Sequence, residues 1–196
     1  MRKQFAFLFL LAAYTLPIAA YVNVSAGDAA PVAISPADHK TVIHDLAVGN
    51  DGSVNVVWVD RRSPVPEPPP AAAAGGHQGH GGPPAGPNYA DLWFARSTDG
   101  GKTFNAPQSI AADKGADHAQ VIALPNGEAL LAWDARVGET RSVLMRKATM
   151  GKSVTFGEPM TVAAASYPAL GVAANGMIYC SFVQSGRLML QALNAW

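Results

Sequence analysis

Cysteine is almost absent from this 196-residue chain: Cys180 stands alone, which excludes an intramolecular disulfide and any cysteine-built zinc cluster. Charge is scarce, at 14% of residues, and balanced, with 14 Lys and Arg against 14 Asp and Glu. Setting aside Arg2 and Lys3 leaves 12 bases against the same 14 acids. No basic stripe remains to neutralise phosphates, so nucleic acid is not an expected partner. A long apolar run occurs only at the amino end. What is plentiful is hydrophobic character, 49% of residues, so the composition is that of one globular domain, or two small ones, held together by packing.

Arg2 and Lys3 precede the apolar run from Phe5 to Ala20, and Val24-Ser25-Ala26 supplies small residues of the kind signal peptidase accepts. Residues 1–26 therefore read as a secretory signal peptide, with a periplasmic or secreted destination for residues 27–196. Pro17 interrupts the run, which falls short of the roughly 20 clean apolar residues of a membrane-spanning helix. No stable membrane span is expected once the leader is removed. No cysteine stands near the cleavage region to accept a lipid. Cys180, among Ile178, Tyr179 and Phe182, reads as a small buried hydrophobe.

The rest of the chain repeats itself. A Pro-led apolar segment opens each of three units: Ala30-Pro31-Val32-Ala33-Ile34, Ala106-Pro107-Gln108-Ser109-Ile110 and Glu158-Pro159-Met160-Thr161-Val162. His44, His118 and Tyr167 follow in turn. Then come Asp51-Gly52, Asn126-Gly127 and Asn175-Gly176, each leading into a β-rich run in which Trp58, Trp133 or Phe182 stands six residues past the glycine. Gly127 and Gly176 are 49 residues apart. Gly52 and Gly127 are 75 apart, but 27 of those residues form the low-complexity tract at 63–89, which leaves 48.

Asp-Gly and Asn-Gly between two β-rich runs are strong hairpin signals. A third run follows in each unit, at Leu92 to Ala95, Val143 to Met145 and Leu188 to Leu190, and the next Pro-led segment supplies a fourth. Four short antiparallel strands recurring at this period make an all-β partial β-propeller of about three four-stranded blades, half of a six-bladed ring. An immunoglobulin-like sandwich, the competing all-β arrangement, carries no such period.

Between the third and fourth runs of the first unit stands Ser97-Thr98-Asp99-Gly100-Gly101-Lys102-Thr103-Phe104. Ser97, Asp99, Gly101, Thr103 and Phe104 fit the Asp-box, S-x-D-x-G-x-T-W/F, in which a carboxylate accepts the turn's amides and the hydroxyls tie the hairpin ends. The second unit retains only Gly151, Thr155 and Phe156 of the pattern, with one extra residue. Over about residues 30–196 the chain resembles the bacterial sialidase, or BNR-repeat, family. In that family the Asp-box is structural and lies away from the active site, so the resemblance speaks to architecture first.

The resemblance also implies that loops entering the first strand and leaving the second gather at a channel mouth. Those loops contain His39, His44, Asp60, Arg61, Arg62, Asp117, His118, Asp134, Arg136 and Tyr167. Guanidinium groups suit a carboxylate, which they grip at two points. The family uses three arginines for this, and Arg61, Arg62 and Arg136 are the nearest counterparts, with His44, His118 and Tyr167 as further ligand-binding candidates. Asp60 and Asp134 are the candidates for an acid/base carboxylate. The plainer reading of these charges is loop ion pairs at strand ends. An Arg-Ile-Pro motif is missing, and the family's Tyr-Glu nucleophile pair belongs to later blades.

The expected function is thus an exported propeller that binds a glycan or another anionic small molecule and is not catalytically complete alone. An exo-α-sialidase supplied with further blades is the alternative, and a periplasmic metal-binding or scaffold propeller another. His77 and His80, three apart in the Gly- and Pro-rich tract, are the candidate ligands for a divalent metal. No other cofactor is implied. Three blades leave open edges, so the chain is expected to be part of a longer product or to complete a ring as a homodimer.

Overall fold

The computed structural model describes residues 30–61, 90–112 and 115–193. The chain divides into two compact units, Met1–Pro31 and Val32–Trp196, and all described residues except Ala30 and Pro31 belong to the second. The leader at 1–26 and the tract at 63–89, with His77 and His80, lie outside the described residues, as does Arg62. Twelve strands and no helix occur among the described residues, so none of their helices is long and apolar enough to cross a membrane.

The strands form three antiparallel sheets in chain order. The first contains β1 (Thr41–Val48), β2 (Val54–Arg61), β3 (Ala90–Ser97) and β4 (Gln108–Ala111), hydrogen-bonded in that sequence. The second contains β5 (Asp117–Ala123), β6 (Ala129–Val137), β7 (Thr140–Met150) and β8 (Val154–Phe156), with β9 (Met160–Ala163) also paired to β7. The third contains β10 (Ser166–Val172), β11 (Ile178–Gln184) and β12 (Arg187–Leu193).

A uniform four strands per sheet, as the repeat implies, is therefore not observed: the counts among the described residues are four, five and three. The reason lies in β7. Its eleven residues outrun any single partner, so β8 pairs near Ala148–Met150 and β9 near Val143–Met145. The stretch between, Gly157 to Pro159, keeps one ladder bond, Gly157 N donating to Lys147 O at 3.0 Å. Pro159 has no amide to continue it. In the first sheet Asn105 N donates to Arg96 O at 2.9 Å just ahead of β4, the same device without a separate strand.

Details of register repeat more faithfully than strand counts. The first strand of each sheet bulges near its start, between Thr41 and Ile43, Asp117 and Gln120, and Ser166 and Ala169. The outer pairing bulges too, where Leu92 and Trp93 meet β4 and where Val143 and Leu144 meet β9. Each bulge adds local twist. The hairpin glycines Gly52, Gly127 and Gly176 have φ of 76°, 85° and 82°, a conformation that a Cβ disfavours.

Between the first two sheets, Val57, Val59, Leu92 and Phe94 meet Val121, Leu131 and Trp133, all shielded from solvent. Leu130, Ala132, Val143 and Met145 meet Ile178, Cys180 and Phe182 between the second and third. Alternation along β6 thus serves both interfaces, which is why it reads as a continuous apolar run. Burying side chains of this size stabilises by about 1.5–3 kcal/mol each relative to exposure. Burial also raises the Cys180 thiol to about 11. Val56 and Trp58 face the other side of the first sheet, under Ile34, Trp93 and Phe104. The backbones approach most closely along the first strands, β1 with β5 and β5 with β10, and the sheets separate from there toward β3.

Candidate functional site

Register places the ends of β2 and β6 beside the starts of β1 and β5, since Asp60 lies opposite Thr41 and Asp134 opposite Asp117. The start of β10 joins them. At this end of the sheets Asp134 is completely buried and both of its carboxylate oxygens are occupied. One accepts from Arg141 Nε at 2.6 Å, with Arg141 Nη2 also against it. The other accepts from Tyr167 N at 2.7 Å and lies 2.9 Å from His118 Nδ1. The Tyr167 amide belongs to the third sheet, so this one carboxylate ties two sheets together.

Asp117 extends the cluster, bridging Arg61 at 3.2 Å and Arg141 at 3.5 Å. His118 and Tyr167, both just past the bulging first residue of their strands, have φ of 48° and 58°. Side chains with a Cβ adopt such values rarely and at a cost of order 1–3 kcal/mol. Their rings pack at 4.1 Å between centroids, tilted by 49°, and Tyr167 remains well exposed. Backbone strain is therefore spent on holding an aromatic pair at the surface beside the ion pairs of Asp117 and Asp134 with Arg61 and Arg141.

Asp60 heads a smaller version of the cluster. Lys40 N donates to its Oδ1 at 2.6 Å and His39 Nδ1 lies 3.3 Å from its Oδ2. It too is buried. Both candidate acid/base carboxylates have their oxygens held by neighbouring groups and anchor the loops around them. Burial without such partners costs a charged group several kcal/mol.

Of the arginines, Arg61 joins the cluster through Asp117, and Arg136 is exposed with no ion pair among the described residues. Arg141, opposite Arg136 in the ladder, holds the central position and was not among the sequence candidates. Nothing in its local sequence marks it, since its importance comes from facing Asp134 across the hairpin. His44 departs from expectation. It lies inside β1, opposite Trp58, and not in a loop; the bulge of β1 falls before it, at Val42, whereas His118 stands within the bulge of β5 opposite Trp133. Among the described residues no group of three or more His, Cys, Asp or Glu side chains is placed to hold a metal.

The opposite end of the sheets carries the turn at 97–104. Asp99 Oδ1 accepts from Ser97 Oγ at 2.7 Å, Thr103 N at 2.9 Å and Lys102 N at 3.0 Å, and its Oδ2 accepts from Thr103 Oγ1 at 2.6 Å. Gly101 N closes the loop onto Ser97 Oγ at 2.8 Å, and Gly100 and Gly101 have φ of 72° and 88°. Hydrogen bonds from Thr103 and Ser97 hold the Asp99 carboxyl far below the usual carboxylate range. Phe104 packs against the Trp58 face. A cleft of about 370 Å³ separates this turn from Met150–Val154 of the second sheet.

Fold and site together define the class: an all-β chain of three antiparallel sheets with a polar cluster where the first and second strands of neighbouring sheets meet. No family model and no curated protein matches the chain. Among solved structures it is similar to a point mutant of the NanB sialidase from Streptococcus pneumoniae, with a TM-score of 0.44 and 13% identity over 75% of this chain. The match covers 21% of that sialidase chain.

Proposed function

We propose that the three sheets are consecutive blades of a β-propeller arc of the sialidase-like type, exported by its leader, which binds an anionic glycan or similar small acid at the Arg61–Tyr167 face. Support for the arc comes from a bulge near the start of the first strand of each sheet, opposite Trp133 and Phe182 in the second and third, and from sheets that lie closest at their first strands and spread outward, as blades around an axis do. Support for a binding role over an independent hydrolase comes from one contrast. Asp60 and Asp134 are buried with occupied oxygens, while Arg136 is exposed and free of acids among the described residues. A guanidinium so placed suits a carboxylate, and the exposed Tyr167 ring, whose amide is held by Asp134 two residues before Arg136, suits the apolar face of a sugar.

Calorimetric titration with N-acetylneuraminic acid, as a probe acid sugar, and with its methyl ester tests this reading. The acid binds, while the ester and the Arg136→Ala variant bind at least tenfold more weakly. Equal binding of acid and ester, or binding indifferent to Arg136, overturns it. Turnover of a fluorogenic sialoside by the chain alone replaces binding with hydrolysis.

A further inference from the structure

We infer that His118 recognises a hydroxyl group of the ligand through its Nε2, which narrows the ligand of this face to a hydroxylated carboxylic acid. The inference rests on reading the face as a site for an acid held by Arg136, and it adds a second group that such an acid must carry.

Asp134 fixes the orientation of the imidazole. Its carboxylate is completely buried and takes donors on both oxygens, Arg141 Nε on one and Tyr167 N on the other. A carboxylate held in this way is an acceptor, so His118 Nδ1, 2.9 Å away, carries a proton and donates it to the bond. The side chain of His118 is 29% exposed and that of Asp134 0%. The part of the ring that solvent reaches is therefore the part turned away from Asp134, the Nε2 side. The ring is also braced from the third sheet by Tyr167, at 4.1 Å between centroids.

Arg136 lies on the same side of the second sheet. Asp134 and Arg136 are two apart in β6 and share a face, the one on which Leu130 and Ala132 pack toward the third sheet. Arg141 stands opposite Arg136 in the ladder but turns its guanidinium back to Asp134, while Arg136 is exposed. Two residues of strand span about 7 Å, a separation that one six-membered ring can bridge.

A hydroxyl is the group that suits Nε2. That nitrogen presents a lone pair when the ring is neutral and a proton when it is charged, and a hydroxyl, which both accepts and donates, answers either. A second carboxylate answers only the charged ring, and it would meet the negative charges of Asp117 and Asp134. A cationic group would meet the guanidinium groups of Arg136 and Arg141.

Quinic acid and cyclohexanecarboxylic acid share a ring and a carboxylate and differ in their hydroxyl groups. NMR titration at pH 7 shows a preference of the wild type for quinate of about fivefold, the worth of one hydrogen bond. His118→Asn abolishes that preference by weakening quinate more than cyclohexanecarboxylate. Its amide can still donate to Asp134 and asparagine accepts the positive φ, but nothing stands in the place of Nε2. His118→Gln, whose amide reaches that place, retains the preference. In the wild type, quinate moves the Nε2 nitrogen resonance of His118 and cyclohexanecarboxylate does not. A preference unaltered in His118→Asn, or an Nε2 resonance indifferent to quinate, overturns the hydroxyl contact and leaves the acid site standing. Failure of both acids to bind, or binding indifferent to Arg136→Ala, removes the acid site and the inference with it.

Discussion

Two carboxylates at opposite ends of the sheets do similar work with different reach. Asp99 takes its four hydrogen bonds from residues 97–103 of its own turn. Asp134 takes its partners from β5, β7 and β10, in two sheets. The first is exposed to solvent and the second sealed from it. A local carboxylate shapes one hairpin; a long-range one holds sheets in place, and its loss is felt wherever its partners lie.

The strongest way to break this contrast is Asp134→Ala. It leaves Arg141, His118 and the Tyr167 amide without their common acceptor and destabilises by about 3–5 kcal/mol, as removal of one member of a buried ionic network does. Urea denaturation measures it, and a cost near that of an exposed ion pair would show that Asp134 does not join the sheets. Asp134→Asn retains an acceptor for Tyr167 N and costs less.

Asp99→Asn shifts the urea midpoint less than Asp134→Ala does, and in a pH-dependent manner. The folded carboxyl lies below the unfolded value of 3.8, so its contribution is full above that pH and declines as pH falls toward the folded value. The gap between wild type and Asp99→Asn therefore narrows below about pH 4, and a gap independent of pH between 7 and 2 would contradict the hydrogen bonding described.

A still smaller change concerns the β11–β12 turn, where Ser185 and Gly186 have φ of 50° and 74°. Asparagine tolerates that conformation better than serine, so Ser185→Asn stabilises by about 0.5 kcal/mol, readable as a rise in urea midpoint. Smallest is Arg61→Ala. The Arg61 side chain is 49% exposed in its pair with Asp117, and its loss costs a few tenths of a kcal/mol, diminishing further with added salt.

What could be read in advance followed the same division by range. The hairpin glycines and the Asp99 turn are each contained in a few consecutive residues, and the period of 48 to 49 residues is the spacing of such signals along the chain. Their positions along the chain are nearly their positions in the fold. The cluster around Asp134 was half legible: Asp117, His118, Asp134 and Tyr167 could be named from their places in the repeat. Arg141 could not, because nothing near it in sequence distinguishes it from Arg136. His44 matches His118 by residue type, yet it stands past the bulge of β1 while His118 stands within the bulge of β5, a difference that residue type does not show.

By itself, the order of residues determined that the chain forms short antiparallel strands, where its tight turns fall, and that one turn is locked by its own carboxylate, because those outcomes depend on contacts within a few residues. Only the tertiary structure decided that Asp60 and Asp134 are buried anchors with occupied oxygens, that Arg141 outranks Arg136 in the cluster, and that β12 pairs with no strand but β11 among the described residues. A residue's burial, its acceptors and its neighbours across a sheet are set by segments dozens of positions away, and only packing brings them into contact.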